Sequence, residues 1–177
     1  MHSPDPPTSE AMLRLAEVRY KGHDATDEQK AYDPEDVAGF FSSDSATHFY
    51  SYTSPREDLA MLFEELMMSV RYDVEIDIAF TNFPEMVSRD SLIVAWGERG
   101  RVGGERIKER ARTIFESIFP NEDADEVMAD LPAPRALRAG QSWAESLVLI
   151  PQLDGFLPKE RRGQSHSIWR ELKSPHH

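Results

Sequence analysis

Ser54-Pro55-Arg56-Glu57-Asp58-Leu59-Ala60-Met61-Leu62-Phe63-Glu64-Glu65-Leu66-Met67-Met68-Ser69-Val70-Arg71-Tyr72 reads as one long helix, and that reading decides the fold class. Ser54 is the expected cap, Pro55 takes the first helical position, and Glu57 completes an S-x-x-E capping box. Leu59, Leu62, Phe63, Leu66 and Val70 follow at i, i+3, i+4, i+7 and i+11, which predicts one apolar face. At about 100° per residue, Glu57 and Glu64 fall nearly in line on the opposite side, in one stripe with Met61 and Met68. A solvated stripe more often carries lysine or glutamine. The mixture predicts a face that something partly covers, and a covered carboxylate needs a cation, a donor or a metal. The competing reading is that Glu57 only caps its helix and Glu64 is solvated.

The neighbouring segments are also mainly helical in pattern. Thr8 or Ser9 caps a helix to about Lys21, stopped at Gly22. Gly22 to Lys30 is polar and reads as loop. Asp33-Pro34-Glu35-Asp36 places cap, proline and first-turn acids in order, so a short helix is expected over Pro34 to Phe41. His48 to Tyr52 is compatible with extended chain. Val74, Ile76, Ile78 and Phe80 alternate with Asp73, Glu75, Asp77 and Ala79, which suggests a half-buried strand. Ser91 to Trp96 is a second strand candidate, ended by Gly97. A second clear helix runs from Glu105 to Phe119, with Ile107, Ala111, Ile114, Phe115 and Ile118 on one side, and Pro120 ends it. Glu122 to Ala129 reads as a short acidic helix and Leu131 to Gly140 as a linker. Trp143 to Ile150 is ambiguous between helix and strand. The expected architecture is a single, mainly α-helical domain over residues 1–177, with a minor strand or hairpin component and flexible ends at 1–8 and 174–177.

Charge narrows the function classes. The chain of 177 residues carries a formal net charge of −12. Residues 1–90 hold 19 acids and 7 bases, while residues 91–177 hold 13 of each. The acidic half would repel a phosphate backbone, so nucleic acid is not the expected main partner; a cation or basic partner is easier to accept, and a solvated acidic surface that aids solubility is the plainer reading of most of these charges. The sequence has no cysteine, which removes disulfides and thiolate metal sites. No apolar run reaches the length of a membrane span. Met1 to Glu10 carries three prolines and no apolar stretch, so no signal peptide is expected there. The compartment is left open.

The run Phe49-Tyr50-Ser51-Tyr52-Thr53-Ser54-Pro55-Arg56-Glu57-Asp58-Leu59-Ala60-Met61-Leu62-Phe63 resembles a segment of bacterial gluzincin-type zinc metallopeptidases. There an S-x-x-E-D-hydrophobic-A run follows the H-E-x-x-H helix and opens the next one. Trp96-Gly97-Glu98-Arg99-Gly100-Arg101 is similar, less specifically, to the tail of such proteins. The resemblance covers about residues 45–70. It implies zinc as cofactor and Glu57 as the third metal ligand.

The chain departs from that pattern. Its six histidines are 2, 23, 48, 166, 176 and 177, and no pair is spaced four apart. The H-E-x-x-H helix that would give two ligands and the general base is absent. Two expectations follow: a C-terminal part of a longer enzyme, whose missing catalytic half docks on the Glu57/Met61/Glu64/Met68 face, or a homologue without peptidase activity. In either case the chain alone is expected not to hydrolyse peptides. His48, nine residues before Glu57, is the second candidate metal ligand, against the plainer reading of a surface or packing histidine. The alternative function is a non-catalytic acidic interaction module. The basic loop of Arg99, Arg101 and Arg106 could meet an anion at the following helix. A solvated turn paired with Glu98, Glu105 and Glu109 is the favoured reading there.

Overall fold

Three helix starts are written by local capping chemistry, and the computed structural model, which describes residues 6–147, shows each of them. Helix α1 (Glu10–Lys21) begins where the Ser9 side chain accepts from Met12 N–H and ends at Gly22, whose φ of 74° is left-handed. Helix α3 (Pro34–Ser42) is closed by a reciprocal box between Asp33 and Asp36. Between them lies α2 (Asp27–Ala31), in the stretch expected to be loop; Thr26 and Gln29 cap each other there. Helix α4 (Pro55–Tyr72) starts with Ser54 Oγ accepting from Glu57 N–H at 3.2 Å. The return bond of the box is not made, so the Glu57 carboxylate is not a capping group. His48 to Tyr52 is not extended: Phe49–Tyr52 forms a single 3₁₀ turn packed against α4.

The strand expectations hold in kind but shift in position. Strand β1 is Asp77–Thr81 and β2 is Val94–Arg99, paired antiparallel as a hairpin, and β3 (Arg135–Ala136) adds to β2. Gly97 does not end its strand. It pairs with Ala79 in mid-ladder, and a Cβ there would meet Leu137 Cδ1 at 2.8 Å and the Ala79 Cβ at 3.0 Å. Glycine stands there because the sheet and the Leu137 side chain approach closely. β3 lies in the stretch expected to be pure linker.

After a 3₁₀ turn at Arg101–Gly103 come α5 (Glu105–Ile118), α6 (Ala124–Ala129) and α7 (Trp143–Leu147). Among the described residues the fold is thus mainly helical with a small antiparallel sheet. No described helix is long and apolar enough to cross a membrane. The described residues belong to one compact unit ending at Leu147. The expectations for residues 1–5, for the tail from 148, and for the far part of Trp143 to Ile150 lie outside them.

Two apolar clusters hold this unit. Leu62 and Leu66 of α4 meet Val102 of the 3₁₀ turn and Ile107, Ala111, Ile114 and Phe115 along α5, with Met128 and Leu131 beyond. Met12, Ala16, Phe41, Ala46 and Tyr52 form the other, against Ile78, Phe80 and Trp96 of the sheet. Helix α4 is rotated from its expected orientation. Leu59 is 45% exposed, while Asp58 and Glu65 are buried beside Leu62 and Leu66. Two carboxylates stand on the core face because each finds a specific partner there.

Candidate functional site

Those partners come from the second half of the chain. Arg110 on α5 is buried and donates from Nη2 to Asp58 Oδ2 and from Nη1 to the Ser45 carbonyl at 2.6 Å. Burial pushes the Asp58 carboxyl up, and the Arg110 charge and the adjacent Ser51 hydroxyl pull it back only in part. Arg101 is 4% exposed. It donates to the carbonyls of Ala46 at 2.7 Å, Phe41 at 3.0 Å and Asp44 at 2.8 Å, and to Glu98 Oε2 at 2.6 Å. Its guanidinium carbon lies 4.5 Å from the centre of the Phe41 ring. The arginine expected on a solvated basic turn is therefore an internal clamp on the 41–46 segment.

Two further acids complete this buried network. Val102 N–H donates to Glu65 Oε1 at 2.9 Å, and burial pushes the Glu65 carboxyl up to about 7. Asp44 accepts from Thr8 N–H, Ser9 N–H, Ser45 N–H and the Tyr52 hydroxyl. Burial raises its pKa, but those donors outweigh it and hold the carboxyl below its usual range. Burial and then Asp44 push the Tyr52 hydroxyl well above its ordinary value. Strongly shifted groups often mark an active site, but they also mark structural ion pairs. Here Asp58 is met by the Arg110 guanidinium and the Tyr52 hydroxyl by Asp44, while Glu65 and Arg101 hold backbone groups, so the network serves to fasten the fold.

The residues expected to carry metal chemistry lie on the outer side of α4. Glu57, Met61 and Met68 are half-buried and Glu64 is exposed. His48 caps the 3₁₀ turn, its Nδ1 accepting from Tyr50 N–H at 3.0 Å. Desolvation lowers its pKa, opposed by the charge of Glu64. The carboxylate that acts on His48 is thus Glu64 and not Glu57. Among the described residues no group of three or more His, Asp or Glu side chains is placed to hold a metal. A catalytic zinc takes three protein ligands. The described residues do not supply such a set.

The hairpin loop between β1 and β2 was not singled out from the sequence. Phe83 is 96% exposed, Met86 84% and Val87 65%, within five consecutive residues. The loop is held by its own bonds. Asn82 N–H donates to the Ile93 carbonyl at 3.1 Å and Ile93 N–H to Asn82 Oδ1 at 2.7 Å. Ser91 Oγ donates to the Met86 carbonyl at 2.7 Å, and Ser88 N–H donates to Ser91 Oγ at 2.8 Å. The base of the loop meets α7, where Ala144 N–H donates to the Arg89 carbonyl at 3.0 Å. A signal was present in Phe83-Pro84-Glu85-Met86-Val87, but sequence does not distinguish an exposed apolar run from a core one. Compared with protein-family models, curated proteins and solved structures, the chain matches none.

Proposed function

We propose that the protein is a non-catalytic interaction module that receives a protein partner on the β1–β2 hairpin tip. One observation carries this reading: Phe83, Met86 and Val87 are held in water by a loop whose asparagine and serines are spent on its own backbone. A pre-ordered loop loses little entropy on binding. Apolar side chains grouped on it would supply the anchors of an interface. The acidic first half of the chain favours a basic partner by steering its approach.

The test uses the full chain in its native cells, with a photo-crosslinking residue replacing Met86 or, as a control, the exposed Glu28. The reading expects a defined second protein trapped at 86, absent at 28 and lost with Phe83→Ser. In parallel, Phe83→Ser and Val87→Ser should change unfolding free energy by less than about 0.5 kcal/mol, as for surface positions. Equal trapping at both positions would mean non-specific capture, and a stability loss of about 2 kcal/mol or more would mean that the tip packs against the protein's own chain; either overturns the reading.

A further inference from the structure

The tip continues a strand with an open side. Among the described residues β1 ends the sheet, so only one of its edges is paired with a strand. The register shows which backbone groups face outward. Gly97 directs its carbonyl to Leu137 N–H, at 2.9 Å, on the side away from β1. Gly97 and its partner Ala79 are therefore a non-hydrogen-bonded pair, and the N–H and C=O of Ala79 point away from β2. By the two-residue period so do those of Asp77. No hydrogen bond from another described loop or helix reaches these groups.

An open edge is usually protected by charge or proline. Here the strand's charges are spent on its own sheet. Asp77 is paired with Arg99 at 2.5 Å, and Glu75 with Arg135. No proline lies between Val74 and Phe83. Exposed Asp73 flanks one end of the edge, and Glu85 and Asp90 flank the other against Arg89 alone. Two copies pairing antiparallel about Ala79 would bring Asp73 of each toward the acidic loop of its mate, which disfavours self-association.

We infer that β1 accepts an extended basic peptide segment of the partner as a fourth strand, hydrogen-bonded along Asp77 and Ala79, with an apolar side chain against Phe83 and Met86. This rests on the interaction reading above and names the partner's chemistry. Main-chain bonds provide affinity in this mode, and alternate side chains provide specificity.

The test uses an eight-residue peptide of alternating valine and lysine with one phenylalanine, added to the full chain. Amide exchange at Ala79 and Asp77 should slow by about tenfold or more at saturation, and methylating alternate peptide nitrogens should abolish this. Phe83→Ser should weaken binding by about tenfold. A glutamate-for-lysine peptide should bind more weakly. If Phe83→Ser weakens binding but Ala79 exchange is unchanged, strand addition is wrong while the tip reading survives. If Ala79 is protected equally in Phe83→Ser, the tip reading fails and the edge alone binds. Protection that rises with protein concentration without peptide would mean a second copy and overturn the inference. So would no response at millimolar peptide.

Discussion

Asp58 of α4 and Arg110 of α5 form an ion pair almost wholly withdrawn from water, with side chains only 6% and 7% exposed. Removing one partner leaves the other charge buried. Arg110→Ala should lower unfolding free energy by about 3–5 kcal/mol, since it also frees the Ser45 carbonyl. Asp58→Leu with Arg110→Met should recover most of that loss. Urea unfolding of the single and double variants measures both. Additive losses in the double variant would show that the pair is not a unit.

Glu65 sets a pH dependence of definite sign. Its folded pKa of about 7 lies above the ordinary 4.5, facing the charges of Arg101, which lowers it, and Glu98, which raises it. Folding therefore favours the protonated form. The stability it contributes is fully present below about pH 4.5 and is lost as pH rises through about 7. The difference is about 3 kcal/mol. Glu65→Gln keeps an acceptor for Val102 N–H and should remove this slope. Unfolding curves from pH 4.5 to 8 should thus converge with wild type at the acid end; parallel curves would contradict the assignment.

His48 is a cap that works only when neutral at Nδ1. Its lowered pKa means that the stability it contributes is present above the ordinary 6.5 and is lost as pH falls through the folded value. An NMR titration should place its pKa below 6.5. His48→Ala should cost about 1 kcal/mol and His48→Asn less, because asparagine can accept from the same N–H. A pKa above the ordinary value would mean that Glu64, and not desolvation, dominates.

Gly103 has no room for a side chain. A Cβ there would lie 1.8 Å from the Pro132 carbonyl oxygen, which is backbone and cannot swing aside. Gly103→Ala should cost about 2 kcal/mol or more. Gly39→Ala, in α3, meets nothing within 4 Å and should be neutral to stabilising by about 0.5–1 kcal/mol. Thermal unfolding of the two variants distinguishes them.

Helices with side-chain caps were legible in the sequence because the cap, the first-turn acids and the stop residue are local signals. Ser9, Asp33 and Ser54 each did what their type and spacing imply. The T-x-x-Q signal at Thr26 is equally local, but it stands in a polar stretch with no apolar period to support a helix. The rotation of α4 was not legible. A periodicity rule places Asp58 and Glu65 in water and Leu59 in the core. The true face depends on Arg110 and Val102, residues far along the chain that supply donors. Gly97 misled for a similar reason, since its crowding is set by Leu137 and Ala79. The hairpin tip could not be found by pattern, because exposure of Phe83 is a tertiary property.

The placement of Arg101 and Arg110 carries a consequence for the order in which the protein can be made. Their acceptors are the carbonyls of Phe41, Asp44, Ser45 and Ala46, between 55 and 65 residues earlier for the Ala46 and Ser45 bonds. A ribosome delivers α1 to α4 before either guanidinium exists. The segment at 41–46 then has carbonyls without donors and an apolar cluster without its sheet. The early helices should remain open to proteases and chaperones until residue 110 clears the exit tunnel, and close in one step after it does.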